Sequence, residues 1–479
     1  MSDGILNQTS PEDKIPLSQM LAFGAGGLSN QLFNAAIAVF LAVLVVGIKM
    51  DPMLAGIVAA APRVLDAITD PFMGFISDNT QSRWGRRKPF IFVGALISGV
   101  FYALMWQLYP EDSESLTFWY CLTMSFCFYL GFTIFSVPLF AMGYEMTPDY
   151  HERTRLMAVS QWIGQLAWVI APTFWIIIMG EDFYPSADVG MRHFSIIVAI
   201  TCTILALMPA LFCKERPLPA STVLIDLSLS SIKENFKSFL TGVIDTMKCR
   251  PFILLCVATF LVYNGYMVIT SFQYILNVHL LFAGDVAAAG YYPTLYGIIG
   301  ALATCFLVIP IVAFMARKIG KNRTFTIVMS VAIVGYLLKW VGWNTQHPWM
   351  QFIPLPLTSF GIGGLFTLML SMTADVCALD RLQSNKQREG MFSAVYWWFV
   401  KVGFGLAGLI SGFILTGIGF DGNLESQSAH TLSQLRIADA VIPAFTTLLA
   451  VIVMRKYDMN EEKCLEIRQK IEKRELANS

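Results

Sequence analysis

The chain has 479 residues, of which 56% are hydrophobic and only 14% charged, and its mean hydropathy is +0.60. That is far more apolar side chain than one aqueous core can hide, so a soluble single-core enzyme is excluded and lipid is the expected solvent. Lysine plus arginine and aspartate plus glutamate balance at 33 each, which leaves no net charge to recruit nucleic acid or an acidic partner.

The first eighteen residues are polar, contain Pro11 and Pro16, and show neither a basic-then-apolar signal pattern nor a small-residue cleavage site. Residues 1–19 are therefore expected to stay as a cytoplasmic N-terminal segment. Twelve apolar stretches follow, near 20–48, 53–77, 89–109, 117–142, 156–180, 194–213, 252–280, 290–315, 324–343, 350–377, 391–417 and 437–455. Each is long enough to cross about 30 Å of hydrocarbon as a helix, so the predicted fold is an all-α membrane protein of twelve transmembrane helices. Basic residues gather after the even-numbered spans: Arg83, Arg86, Arg87 and Lys88, then Arg153 and Arg155, the stretch from Lys214 to Arg250, Arg317 to Arg323, and finally Arg381, Lys386 and Arg388. The alternate loops are poor in Lys and Arg and include Glu111, Asp112 and Glu114. By the positive-inside rule both termini face the cytoplasm, in a plasma (inner) membrane. The nine cysteines form no CxxC and mostly lie inside apolar spans, so no metal site and no disulfide is expected.

Most charges sit at helix ends, but span two carries Arg63, Asp66 and Asp70 within Ala61-Pro62-Arg63-Val64-Leu65-Asp66-Ala67-Ile68-Thr69-Asp70-Pro71. At 100° per residue these three share one helix face. A carboxylate near the bilayer centre costs on the order of 2.5–3.5 kcal/mol on insertion scales, and two carboxylates against one arginine leave a negative charge over. A monovalent cation neutralises it, with oxygen ligands from Asp66, Asp70 and the hydroxyl of Thr69 or Thr133. Na+ and H+ both fit that site. The competing reading is purely structural: the two acids pair with Arg63 and a second basic residue to bind helices together. In span eleven, Lys401 is the one deep basic residue; it either snorkels to the interface or faces the cavity, near the two acids or an anionic solute.

The longest connection, 214–250, separates a bundle at 20–213 from another at 251–455, and Ile232, Phe236, Phe239 and Leu240 stand at helical spacing among its lysines. It reads as an interfacial helix, and the charged residues 456–479 as a cytoplasmic tail. The halves also repeat one another. Arg83-Trp84-Gly85-Arg86-Arg87-Lys88 has a counterpart in Arg317-Lys318-Ile319-Gly320-Lys321-Asn322-Arg323, and Glu145…Asp149…Arg153…Arg155 has one in Asp375…Asp380…Lys386…Arg388. Gly85 to Gly320 and Arg155 to Arg388 span 235 and 233 residues, so a six-helix unit has been duplicated into two pseudo-symmetric bundles. Such parallel halves match the major facilitator architecture, from which alternating access follows.

Asp66-Ala67-Ile68-Thr69-Asp70-Pro71-Phe72-Met73-Gly74, followed by Ser82-Arg83-Trp84-Gly85-Arg86-Arg87-Lys88-Pro89, resembles the signature of the glycoside-pentoside-hexuronide:cation symporters, the melibiose permease-like family. Weaker matches continue at Thr133-Ile134-Phe135-Ser136-Val137-Pro138, Val262-Tyr263-Asn264, Ala374-Asp375 and around Lys401. The resemblance implies that Asp66, Asp70 and Thr133 bind the coupling cation with Lys401 nearby; Arg63 and Lys401 are the expected coupling residues. The sequence departs from the galactoside-transporting members. Their carboxylates in spans one and four and arginine in span five correspond to Ser29 or Asn30, Ser136 and Gln161, and their tryptophans of spans four and ten to Phe140 and Phe366. Thr69 stands where the sodium-using melibiose permease has asparagine.

Candidate solute-binding residues are Asn30, Gln31 and Asn34 of span one, Ser136 and Phe140 of span four, Gln161 and Gln165 of span five, Asn264 and Gln273 of span seven, and Phe366, Tyr396 and Trp397. Each has a bland alternative, an interhelical hydrogen bond. Arg83, Glu145, Asp149, Arg153, Asp375 and Arg388 recur at matching ends of the halves and are expected to form a cytoplasmic gate. The expected activity is Na+- or H+-coupled symport of a glycoside or related sugar, by a monomer in the lipid bilayer with no other cofactor. The alternative is symport of an anionic solute, a uronide, sugar phosphate or lysolipid, with Lys401 as counter-ion. An enzyme is disfavoured, since the chain has no HExxH, GxSxG or P-loop and its five histidines lack metal spacing.

Overall fold

The computed structural model describes residues 14–80, 82–109, 111–147, 150–180, 182–215, 229–384, 389–422, 424, 426–460, 462–464, 466–467, 469–470 and 473. Twelve helices among them are long and apolar enough to cross a membrane: α1 (Leu17–Val46), α2 (Pro52–Ser77), α3 (Lys88–Met105), α4 (Glu114–Glu145), α5 (Arg155–Met179), α6 (Ala187–Phe212), α7 (Arg250–Leu281), α8 (Val286–Ile319), α9 (Lys321–Gly342), α10 (Pro348–Gln383), α11 (Met391–Gly417) and α12 (Ala429–Met454). The twelve-helix fold expected from hydropathy is present, with several helices longer than their apolar cores. α12 begins eight residues before its predicted start at 437, because the polar turns from Ala429 are still helical and Ser428 caps them by accepting from the Thr431 amide at 3.0 Å. α4 is capped in the same way by Ser113. Another helix, Leu229–Met247, lies between α6 and α7.

Helix irregularities have local chemical causes. α5 breaks at Pro172 into pieces ending at Ile170 and resuming at Thr173, since proline brings no N–H to the preceding turn. α8 contains one wide π-type turn, Ala303–Val308, immediately before Pro310. The lipid-directed faces are legible as exposed apolar stripes. Ile197, Ile200, Ile204 and Leu211 of α6 are all more than half exposed, an arrangement stable only against hydrocarbon.

Contacts divide the chain into two compact units, Met1–Val43 with Ala61–Ser238, and Leu44–Ala60 with Phe239–Ser479. Within the first, α3 packs against α4 and α6; within the second, α9 packs against α10 and α12. These are the same pairings six helices on. Glycine makes the tightest of them possible: a Cβ on Gly94 of α3 would fall 2.4 Å from the Phe135 amide nitrogen of α4, and one on Gly335 of α9 would fall 2.7 Å from the Thr358 amide nitrogen of α10.

The second unit also holds an ion pair that hydropathy did not reveal. Lys339 of α9 and Asp439 of α12 meet at 2.6 Å, 4% and 0% exposed. The other Asp439 oxygen accepts from Trp343 Nε1 at 2.7 Å, and Tyr296 of α8 stacks on Trp343, 6.0 Å between centroids at 13°. Both carboxylate oxygens thus face a donor, the condition for tolerating a charge in hydrocarbon. Removing one partner strands the other, so Asp439→Ala is expected to cost about 3–5 kcal/mol, whereas Lys339→Met with Asp439→Leu together restores most of it. Unfolding of the variants in detergent micelles measures the difference.

Candidate functional site

The charged face of α2 is folded inward. Val64 and Ile68 are 44% and 43% exposed, while Asp66 on the opposite side is 0% and Arg63 5% exposed. With this i, i+4 apolar pair exposed, helix geometry turns positions 63, 66 and 70 to the opposite side of α2. Pro62 and Pro71 bracket this segment, and Pro71 brings no N–H to the Ala67 carbonyl, which leaves a backbone acceptor beside the acids.

α4 supplies the next group. Thr133, 1% exposed, donates to Asp66 Oδ1 at 2.7 Å, and its oxygen lies 3.2 Å from the Thr69 hydroxyl. Thr69 is one turn from Asp66 on α2 and bonds to the Leu65 and Asp66 carbonyls at 3.1 and 3.2 Å. Two hydroxyls and a carboxylate from two helices therefore converge, a set of hard oxygen donors. Thr69, Thr133 and Asp66 come together as a cluster; Asp70 is one turn on from Asp66, on the same face.

Arg63 stands about one turn before Asp66 on the same face of α2. One guanidinium nitrogen donates to Asn34 Oδ1 at 2.5 Å, and its carbon stands 4.6 Å from the centre of the Tyr129 ring. Asn34 also donates through Nδ2 to the Asn30 carbonyl at 2.9 Å, so both ends of its amide are engaged within the first unit. Tyr129 was not among the residues singled out from sequence; its place one turn before Thr133 on α4 is the signal that could have found it. Asn30 and Ser136 are buried at 7% and 5%, while Phe140 is 39% exposed. Gln161 is exposed and Gln31 and Gln165 are half-buried.

In the second unit, Phe366 of α10 lies flat against Trp397 of α11, 6.0 Å between centroids at 14°, and Tyr263 meets Phe366 edge-on at 5.7 Å. Trp397 keeps 42% of its surface exposed. Lys401 follows it by one turn on the same face of α11. Two of the proposed solute residues are engaged inside this bundle instead. Tyr396 is 1% exposed and its hydroxyl accepts from Thr259 at 3.4 Å; Gln273 donates to the Pro293 carbonyl at 3.0 Å. Asn264 donates to the carbonyl of Phe260 on its own helix at 2.9 Å.

The charged loops form ion pairs within each unit. Arg86 and Arg87 both bind Glu145 at the end of α4, the latter at 2.7 Å; Lys321 binds Asp375 of α10 at 2.5 Å. Gly85 (φ +117°) and Gly320 (φ +82°) make the left-handed turns that lead into α3 and α9. Glu215, unnoticed in the sequence, accepts from the backbone amides of Arg86, Arg87 and Lys88 at 2.7, 3.0 and 2.7 Å, filling the anion-seeking N-terminus of α3. A Cβ on Gly85 would fall 2.8 Å from that carboxylate. Arg83 is exposed. Asp149, Arg388 and the side chain of Arg153 lie outside the described residues.

A family model described as MFS/sugar transport protein matches residues 22–461. The chain belongs to that family. It is a transporter rather than an enzyme, integral to a membrane, and the melibiose permease-like resemblance of its α2 signature holds at the level of the family. The chain is 24% identical to the glucuronide carrier protein homolog of Escherichia coli (strain K12), covering 95% of each chain. It is 21% identical to the isoprimeverose transporter of Lactiplantibacillus pentosus, over 94% of this chain and 90% of that one. The sodium-dependent lysophosphatidylcholine symporter 1 of Gallus gallus is 24% identical over 98% and 91%. Among solved structures, a D-xylose-proton symporter superposes with a TM-score of 0.61 at 15% identity, covering 92% of this chain and 97% of its own, which shows the shared fold.

In this MFS sugar-transport protein the Glu215 carboxylate is what joins the α2–α3 turn to the end of α6. Glu215→Ala, which leaves three amides without their acceptor, is expected to lower stability by about 1–3 kcal/mol, with Glu215→Gln losing less because one carbonyl oxygen remains. Thermal unfolding of the purified variants gives the order.

Proposed function

We propose that this protein is a cation-coupled symporter of a glycoside or related sugar, working by alternating access, with Asp66, Asp70, Thr69 and Thr133 as the cation site. The observation that carries the reading is the Thr133–Asp66 bond of 2.7 Å with Thr69 3.2 Å beyond it. A hydroxyl both donates and accepts. In the empty site it supplies a proton to the carboxylate; when a cation enters, it turns and offers a lone pair. A structural ion pair has no use for such reversible partners. The stacked, near-parallel Phe366 and Trp397 rings, with Trp397 42% exposed, supply an apolar aromatic surface of the kind a sugar ring packs on. On this reading both termini lie in the cytoplasm, and the ion pairs at Glu145 and Asp375 brace the inner ends of their bundles.

A second reading, an anionic solute with Lys401 as its counter-ion, is supported by the placement of Lys401 one turn from Trp397, and by relatives named for a glucuronide and a lysophospholipid. The two separate on solute charge. Uptake of a neutral pentoside or hexoside that survives Lys401→Ala supports the first; preference for the corresponding uronide, lost in Lys401→Ala, supports the second.

The cation site has its own test, in proteoliposomes carrying an imposed Na+ or H+ gradient. Asp66→Asn is expected to abolish concentrative uptake while the protein remains folded. Thr133→Val, which removes one charge-assisted hydrogen bond and one oxygen ligand worth about 1.5–3 kcal/mol, is expected to raise the half-saturating cation concentration at least tenfold. Gradient-driven accumulation at the unmutated level by Asp66→Asn would eliminate the proposed site.

A further inference from the structure

We propose that the segment from Tyr457 to Ile467, which follows the last membrane helix, is a strap: it folds back over one end of the second unit, shields the Lys321–Asp375 ion pair from water, and holds that end together until it is released.

The chain does not leave the second unit where α12 ends. Tyr457 donates its amide to the Met454 carbonyl at 3.1 Å, which turns the backbone. Tyr457, Met459 and Ile467 are then 4%, 5% and 5% exposed in a stretch rich in charge. All three join the apolar core that contains Phe252 at the start of α7, Val376 of α10 and Phe392 of α11. Between them Asn460 caps a new helical turn by accepting from the Lys463 amide at 2.9 Å. Cys464 and Ile467, three residues apart, lie on the face of that turn which packs against the core. Lys463 and Asp458, which are both more exposed, meet at 2.8 Å.

The first unit carries a related contact. Glu215 is the third residue past the end of α6, and Tyr457 the third past the end of α12. The Glu215 carboxylate accepts from the amides that lead into α3; the Tyr457 carbonyl accepts from Asn322 Nδ2, in the first turn of α9, at 3.3 Å. Each unit thus ties the end of its sixth helix to the start of its third. In the second unit the tie continues into an apolar extension.

That extension lies at the corner occupied by an ion pair. Lys321, next to Asn322, binds Asp375 at 2.5 Å, with the Asp375 side chain only 5% exposed. Tyr457 is outside the membrane span; burial pushes its hydroxyl above the ordinary tyrosine range, and the Asp375 carboxylate adds to the shift, which places that carboxylate near the ring. The Tyr457 hydroxyl has no hydrogen-bond partner among the described residues. A buried hydroxyl left so is a cost to the closed form, so the ring is held by apolar burial and can leave without breaking a hydrogen bond of its own hydroxyl. An ion pair shielded from water is stronger, and less screened by salt, than one open to it. Opening the strap therefore weakens the pair that ties α9 to α10.

The test uses the purified full-length chain in detergent. N-ethylmaleimide labelling, followed peptide by peptide in a mass spectrometer, reads the opening through Cys377, 8% exposed in the shared core, with Cys121 and Cys202, 0% exposed in the first unit, as controls. Tyr457→Ala and Ile467→Gln are each expected to raise the labelling rate of Cys377 about tenfold and to leave Cys121 and Cys202 as they are. Tyr457→Phe, which keeps the ring and drops the unpaired hydroxyl, is expected to label no faster than the unmutated protein and to melt at no lower a temperature. Lys321→Ala is expected to lower the melting temperature, and by about half as much or less when Ile467→Gln is already present. Added salt should shrink that smaller loss further.

Cys377 labelling within about twofold of the unmutated rate in both Tyr457→Ala and Ile467→Gln overturns the strap. So does a Lys321→Ala loss of the same size with and without Ile467→Gln, since the pair would then be shielded by something else. Cys121 and Cys202 reacting as fast as Cys377 in these variants would make the segment part of the general core rather than a releasable element, and defeats the proposal as well. If Tyr457→Ala does not fold, Ile467→Gln, further along the chain from the membrane helix, decides alone. None of these readouts depends on a cation or a solute, so failure here leaves the cation-site reading untouched.

Discussion

A carboxylate with no exposed surface, placed midway along a membrane helix, is the constraint around which the first unit is arranged. Asp66 cannot be left to hydrocarbon. The orientation of α2 follows from it, with Val64 and Ile68 turned outward and Arg63 and Asp66 turned in. So does the placement of α4, whose Thr133 reaches Asp66 while Tyr129, a turn away, receives Arg63. Close approach of α4 to α3 is permitted by glycine at position 94. Sequence, helix rotation, packing and the charged site are thus one chain of dependence.

Duplication accounts for much of the remainder. Gly85 and Gly320 take positive φ at the same place in their repeats, and each is followed by a basic residue that pairs with an acid near the end of a neighbouring helix, Arg86 with Glu145 and Lys321 with Asp375. The copies have since diverged in chemistry. The first unit carries the acids of α2 and their hydroxyls; the second carries aromatic planes, Phe366 on Trp397, and Lys401 beside them.

The twelve helices were legible because each apolar run is long and bounded by charge, and the α2 cluster was legible because three ionisable residues on one face of a membrane helix have few innocent explanations. Other features were hidden for physical reasons. Lys339 lies close to the end of its helix, where sequence alone cannot tell a snorkelling lysine from a buried one, and its partner Asp439 is a hundred residues away. Glu215 is one acid among many in a charged loop until the backbone of Gly85 to Lys88 folds around it. Tyr396 and Gln273 looked like solute ligands because polar and aromatic residues in a membrane helix serve solute and neighbouring helix alike; only the fold shows the Thr259 and Pro293 contacts they make.

Asp66 and Asp439, the two aspartates with no exposed surface among the described residues, differ in the neighbours that their oxygens meet. Asp439 receives an ammonium on one oxygen and an indole N–H on the other. Neither lysine nor tryptophan has a lone pair to offer in return, so an arriving cation would find no ligand in them and would have to break a buried ion pair to enter. Asp66 receives a hydroxyl, with a second hydroxyl next to it. Rotating those groups converts donors into acceptors without moving a helix. The same residue type at comparable burial is therefore met in one unit by donors that cannot reverse their polarity and in the other by hydroxyls that can.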